Sequence, residues 1–173
     1  MKKTAFILAT LVATPAFAQA PASHGVGGVK LTWQVMSGNF TKAAEQVSEA
    51  DYAFKPVETV RSFGELVGHV AGAQNMICAA ALGEPQKAED DIEKSAKTKA
   101  ALVAALKASN EYCLRAYALT DAQTAGMTKL FGQDQTKMFA LSLNAAHTGE
   151  HYGNAVTYMR MKGMVPPSSQ PRQ

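Results

Sequence analysis

The chain has 173 residues, with 17 Lys and Arg against 14 Asp and Glu and a net charge of +3. Two of those basic residues, Lys2 and Lys3, fall in the first few positions, and without them the balance is 15 basic to 14 acidic. A chain so nearly neutral offers no basic surface for nucleic acid, which excludes that partner.

The N-terminus reads as an export signal. Met1 to Thr4 is a short basic start, Ala5 to Pro15 is apolar, and Ala16-Phe17-Ala18 is the small-x-small pattern of a cleavage site. The apolar run is too short to anchor the chain, because a spanning helix needs about 20 residues. Residues 1–18 are therefore expected to be removed, leaving no stable membrane insertion and a periplasmic or secreted protein. Residues 19–25 form a flexible leader, 26–168 a single domain and 169–173 a tail.

Helical periodicity then runs through the domain. Val29, Trp33, Met36, Phe40, Ala44 and Val47 recur three and four apart, the stripe of a first amphipathic helix. Asp51 to Val60, with Pro56, reads as an ordered loop. Ser62-Phe63-Gly64-Glu65 has the form of a capping box and opens a second helix that Gly83 and Pro85 end after Leu82. Lys87 to Lys99 is a charged linker or helix start. Leu102, Leu106, Ser109, Cys113 and Ala116 mark a third helix, Asp121 to Asp134 a loop, and Gln135 to Lys162 a fourth helix stopped by Gly163. No strand-like alternation of useful length occurs. The spacing predicts an all-α protein, a four-helix bundle.

Three histidines carry the chemistry. His147 and His151 are four apart, which places both imidazoles on one face of the fourth helix, with Cβ atoms roughly 5–6 Å apart. The same face holds Asn144, Asn154 and Tyr158. Burying Asn144, His147, His151 and Asn154 without partners would cost on the order of 1–3 kcal/mol for each unsatisfied group. A metal ion or a dense hydrogen-bond network removes that cost. On the second helix, His69 falls on the inward stripe with Leu66, Ala73 and Met76, among the small residues Gly68 and Gly72. In an up-and-down bundle the second and fourth helices run parallel, so His69 can face the pair. Three histidines with a fourth position open to solvent or substrate make a catalytic type of site. The metal ligands expected are His69, His147 and His151; His24, in a glycine-rich leader, is assigned no role. His147 to His151 also fits H-x-x-E-H, but only 22 residues follow His151, too few for a further carboxylate ligand on another helix. Glu150 is expected to face solvent.

No cysteine, serine or lysine nucleophile with an evident base stands out. Export permits a disulfide. With antiparallel second and third helices, however, Cys113 would lie about 27 Å along its helix from the end that Cys78 shares. A bridge needs Cα atoms within roughly 7 Å, so none is expected.

His69 within Ser62 to Val70, the H-x-x-x-H-x-G of His147 to Gly153, and the close Tyr158 to Pro167 together resemble the DinB/YfiT-like superfamily, from about Val26 to Ser168. The resemblance implies a four-helix bundle with three histidines, at the positions of His69, His147 and His151, holding a divalent transition metal, zinc or nickel. It also implies a metal-dependent transferase or hydrolase, with characterised relatives that use low-molecular-weight thiols. This chain departs from the pattern at Asn154, where many members have glutamine, and in its export signal. The partner expected is a small-molecule ligand or substrate, and a homodimer stays open. The alternative function is a non-catalytic periplasmic protein that binds metal or a small ligand.

Overall fold

In the computed structural model, residues 24–171 are described; the signal segment and most of the leader lie outside them. Four long helices form the body: α1 (Gly25–Gln46), α2 (Phe63–Leu82), α4 (Lys99–Ala116) and α6 (Lys137–Met161). The short helices α3 (Asp91–Ser95) and α5 (Asp121–Thr124) sit in the connections. Residues 49–53 and 167–169 form single 3-10 turns. This is an all-α four-helix bundle with one small hairpin.

The Ser62 box closes at both ends, with Glu65 N–H donating to Ser62 Oγ at 3.2 Å and Ser62 N–H donating to Glu65 Oε2 at 2.7 Å. Gly83 ends α2 in the left-handed conformation, φ +75°, where a Cβ would be strained. Thr98 and Thr136 cap α4 and α6 by accepting from Ala101 and Phe139 N–H.

The helix directions differ from an up-and-down bundle. Leu102 lies against Gly64 and Gly68, Gln74 bonds Ser109 and Asn110, and Cys78 is joined to Cys113. The residue numbers rise together, so α2 and α4 run parallel. On the other side Arg61 meets Tyr158, His69 meets His147 and His151, and Cys78 meets Asn144. Those numbers run oppositely, so α2 and α6 are antiparallel, the reverse of the parallel arrangement that the sequence suggested. α1 is antiparallel to α4, through Trp33 with Tyr117, Thr41 with Asn110 and Glu45 with Lys107. The cause is the connection 83–98, which doubles back along α2 before α4 begins. Gly68 and Gly72 let it lie close. A Cβ on Gly72 would overlap the Glu89 carbonyl oxygen, and one on Gly68 would stand 2.7 Å from Glu93 Cα.

That return corrects the disulfide expectation. With α4 starting beside the N-terminal end of α2, Cys113 comes level with Cys78, and the two form a disulfide with Cα atoms 5.4 Å apart. Both are fully buried. The expectation failed because it assumed antiparallel neighbours joined at Gly83.

The segment 121–134 is also more ordered than a loop. Met127–Leu130 and Gln133–Thr136 pair antiparallel, Met127 opposite Thr136 and Leu130 opposite Gln133. Phe131 and Gly132 turn the chain with φ of +50° and +76°, the backbone signs of a two-residue hairpin turn. Leu130 is buried in the core and Thr128 Oγ1 donates to the Ala80 carbonyl at 2.6 Å. The pattern escaped the sequence because Leu130 is the one buried apolar side chain of either strand.

The buried residues fall into two apolar clusters. One contains Phe40, Phe63, Leu66, Val70, Leu106, Tyr152 and Met159; the other contains Trp33, Ile77, Tyr117, Leu130 and Leu141 around the two cysteines. Trp33 stacks on Tyr117 at 4.6 Å and donates from Nε1 to Gln74 Oε1 at 2.6 Å, so Trp33 and Phe40 are core residues.

The disulfide closes a loop of 35 residues, a constraint on the unfolded chain worth about 4 kcal/mol. Cys78→Ser with Cys113→Ser should lower the melting temperature by roughly 10 °C for a domain of this size. Non-reducing peptide mapping of the wild type should return the Cys78–Cys113 pair.

Candidate metal centre

Between the two apolar clusters, α2 and α6 bring three imidazoles to one point. His69 Nε2 lies 3.1 Å from His147 Nε2 and 3.1 Å from His151 Nε2, and the last two are 3.0 Å apart. The rings meet at 57°, 88° and 81°, so they are not stacked; their edges converge. His69 and His151 are buried and His147 is half-buried. The i,i+4 spacing on α6 supplies two rings, and the antiparallel α2 supplies the third at the same height.

Convergence of this kind has to be reconciled with the protons. If each Nε2 carried its hydrogen, three hydrogens would crowd one point; if each carries a lone pair, three lone pairs meet and repel unless a cation accepts them. The outer nitrogens favour the second arrangement. His69 Nδ1 faces the Glu89 carboxylate, 3.2 Å from Oε1 though off the line of a hydrogen bond, with Glu93 Oε2 at 3.9 Å. His151 Nδ1 stands 3.3 Å from the Asn154 amide, whose oxygen and nitrogen exchange places on rotation. His147 Nδ1 is buried with no hydrogen-bond partner. Nδ1 hydrogens of His69 and His151 directed at an acidic or amide oxygen leave those two Nε2 lone pairs inward, as in a three-histidine metal site. Zn–N bonds of about 2.0–2.1 Å at tetrahedral angles place nitrogens roughly 3.3 Å apart, close to the separations here. The three residues are the group among the described residues whose ligand atoms could hold a metal ion.

All three rings are held neutral. Burial, then the Arg61 charge and the neighbouring imidazoles, pushes His69 down to about 3. Burial and His151 push His147 to about 4 against the opposing pull of Glu150, and burial with Arg61 pushes His151 to about 4. Neutral imidazole is the form that binds metal.

The centre opens on one side. A cleft of about 720 Å³ runs past His151, between α6 and the segment 55–66, with Asn154, Thr157 and Tyr158 on one wall and Arg61 on the other. Glu150 is exposed. Asn144, which the sequence grouped with the histidines as lining for an open coordination position, is elsewhere. It lies a turn away, directing Nδ2 at Cys78 Sγ (3.6 Å), Cys113 Sγ (3.7 Å) and Tyr117 Oη (3.2 Å). His24 is exposed at the N-cap of α1.

Glu89 and Glu93 were missed by the sequence, which gave 87–99 to a charged linker or helix start. Their signal was Gly68 and Gly72 flanking His69: a glycine on each side of a buried polar residue announces the close approach of another segment.

The sequence profile of the DinB superfamily matches residues 33–155. No curated protein matches the sequence. Among solved structures, a DinB-like protein from Bacillus cereus ATCC 10987 superposes with a TM-score of 0.70 at 15% identity, covering 81% of this chain and 94% of that one. YfiT from Bacillus subtilis, described as a probable metal-dependent hydrolase with an unusual four-helix bundle topology, gives 0.64 at 15% identity over 88% and 95%. A mycothiol-dependent maleylpyruvate isomerase, in a mutant form, gives 0.64 at 14% identity over 82% of this chain and 62% of its own. At these identities the likeness is one of fold.

Glu89→Gln should weaken divalent-metal affinity about 10- to 100-fold, the usual effect of losing the carboxylate behind a histidine, measured by competition with a chelating dye. The metal-free protein should also lose stability in acid. Its histidines take up protons near 3 to 4 when folded and near 6.5 when unfolded. From pH 6.5 downward the unfolded chain therefore binds more protons, and the melting temperature should fall progressively toward pH 4. Above pH 6.5 these groups should contribute no slope.

Proposed function

The chain belongs to the DinB superfamily, and we propose that it is an exported metalloprotein whose His69, His147 and His151 hold one zinc or nickel ion for chemistry on a small molecule in the adjoining cleft. The reaction class proposed is metal-dependent hydrolysis or a thiol-linked transfer. The observation that carries this reading is the convergence of three neutral Nε2 atoms within 3.1 Å, from two buried histidines and one half-buried, beside a cleft of about 720 Å³. A purely structural ion needs a closed set of four protein ligands, whereas three leave a position for water or substrate.

When bound, the ion would supply Lewis acidity, which makes water or a thiol a nucleophile near neutral pH. The protein's own groups do the rest. Glu89 sets a carboxylate beside the outer nitrogen of His69, and the Asn154 amide lies beside that of His151. The Tyr158 hydroxyl is committed to the Arg61 carbonyl at 2.9 Å, and the Glu65 carboxylate to the α2 cap. These two groups therefore serve to fix the walls of the cleft.

Support for export comes from the 1–18 pattern and from the buried disulfide, since such bonds persist in oxidising compartments. No described helix is long and apolar enough to cross a membrane.

Protein purified from its own compartment should carry close to one divalent transition metal per chain by elemental analysis. His147→Ala with His151→Ala should lose it, and retention of stoichiometric metal by that variant would refute the site. Hydrolysis or thiol transfer, where found in a substrate panel, should vanish on chelation and in His69→Ala; turnover indifferent to both would refute the mechanism.

A further inference from the structure

The wall of the cleft opposite α6 carries a guanidinium that is anchored at one edge only. Arg61 Nε donates to both carboxylate oxygens of Glu93, at 3.2 and 3.1 Å. Its terminal nitrogens have no hydrogen-bond partner among the described residues. The Arg61 backbone is also fixed, because its carbonyl accepts from Tyr158 Oη at 2.9 Å and Ser62, the next residue, caps α2. A guanidinium held by Nε, on a tethered backbone, presents its remaining donors as a fork suited to a planar oxyanion.

We propose that this cleft contains a carboxylate-binding subsite, in which the terminal nitrogens of Arg61 take the anionic head of a small substrate while its apolar stem lies on Pro56, Val60 and Leu66. The proposal deepens the functional reading above and rests on the cleft's being the substrate site. The lining holds Lys55 and Arg61 against Glu65 and Glu93, with Lys55 Nζ 3.4 Å from Glu65 and Arg61 on Glu93. The two cations are each paired with a carboxylate, and the planar fork of the guanidinium matches the two oxygens of a carboxylate. Buried Leu66 and the half-buried Pro56 give the cleft apolar wall against which a stem can lie. Arg61 and His151 line the same cleft, so an anionic head on the guanidinium shares that cleft with one of the three rings.

The experiment is a titration of zinc-loaded, isotope-labelled protein with hexanoate, hexanamide and inorganic phosphate, followed by amide shifts of residues 55–66 and 154–158. Hexanoate should bind at least tenfold more tightly than its neutral amide, and Arg61→Gln should abolish that preference. Arg61→Lys, which keeps the charge and loses the fork, should retain part of it, and it serves as the second variant if Arg61→Gln is unstable. Equal binding of acid and amide, or a preference unchanged in both Arg61 variants, would overturn the subsite. Stronger shifts with phosphate than with hexanoate would overturn the carboxylate assignment. Repeating the titration on His147→Ala separates the two claims: an Arg61-dependent preference there upholds the subsite even if no metal binds. Stoichiometric metal in the wild type without that preference leaves the metal centre standing and removes the subsite.

Discussion

To aim its Nε2 lone pair at the point where the three rings meet, His69 must keep its hydrogen on Nδ1, and an acidic oxygen must face that nitrogen. That requirement organises much of this fold. The outer nitrogen of His69 faces away from α6, toward where a simple bundle would have only solvent. Here the connection 83–98 returns along α2 and sets Glu89 there, 3.2 Å from Nδ1. The return is possible because α2 presents Gly68 and Gly72 on that side, where a Cβ would run into the backbone of Glu93 and Glu89. Once the connection has doubled back, α4 must start beside the N-terminal end of α2, so the two run parallel. The order of helix directions, and with it the pairing of Cys78 with Cys113, follows from the need to cover His69.

The same centre divides the core. Apolar packing alone would let α2 slide along its neighbours, since Val, Leu and Ala at successive turns are nearly equivalent. Polar groups at the waist remove that freedom. Gln74 takes the Trp33 indole N–H and donates to Ser109 and Asn110, and Asn110 donates to Thr41. This chain of satisfied bonds ties α1, α2 and α4 at one height, while the histidines tie α2 to α6 just below. Buried polar groups of this sort fix a register because any shift leaves them unpaired, at a cost of about 1–3 kcal/mol each.

How much of this the sequence disclosed depended on whether the information was local. The Ser62 box, the stop at Gly83 and the inward stripe of His69, His147 and His151 rest on spacings within one helix, and periodicity reads those directly. Helix direction is not local. It was set by the close contact between Gly68 and Gly72 and a segment some 20 residues on, which a helical wheel does not represent. The disulfide was misjudged for that reason: with the second and third helices taken as antiparallel, Cys113 fell far from Cys78, whereas parallel helices bring the two level. Asn144 was placed correctly on the inward face and assigned to the wrong neighbours, because a wheel gives direction around the axis and not which cluster lies at that level. The hairpin was hidden by its turn, where Phe131 takes a positive φ more usual for Asn or Gly.

The disulfide, finally, bears on the metal centre through α6. Asn144 directs its amide at both sulfurs and at Tyr117 Oη, and the Tyr117 hydroxyl donates to the Leu141 carbonyl at 2.9 Å. One turn further along α6 comes His147, then His151, and at the far end Tyr158 bonds the Arg61 carbonyl. The helix carrying two of the three imidazoles is therefore fastened to its neighbours above and below the site, by contacts that do not involve the rings. Contacts at both ends of the helix thus fix the height at which His147 and His151 face α2, and the rings need only turn about their own side-chain bonds to converge on His69.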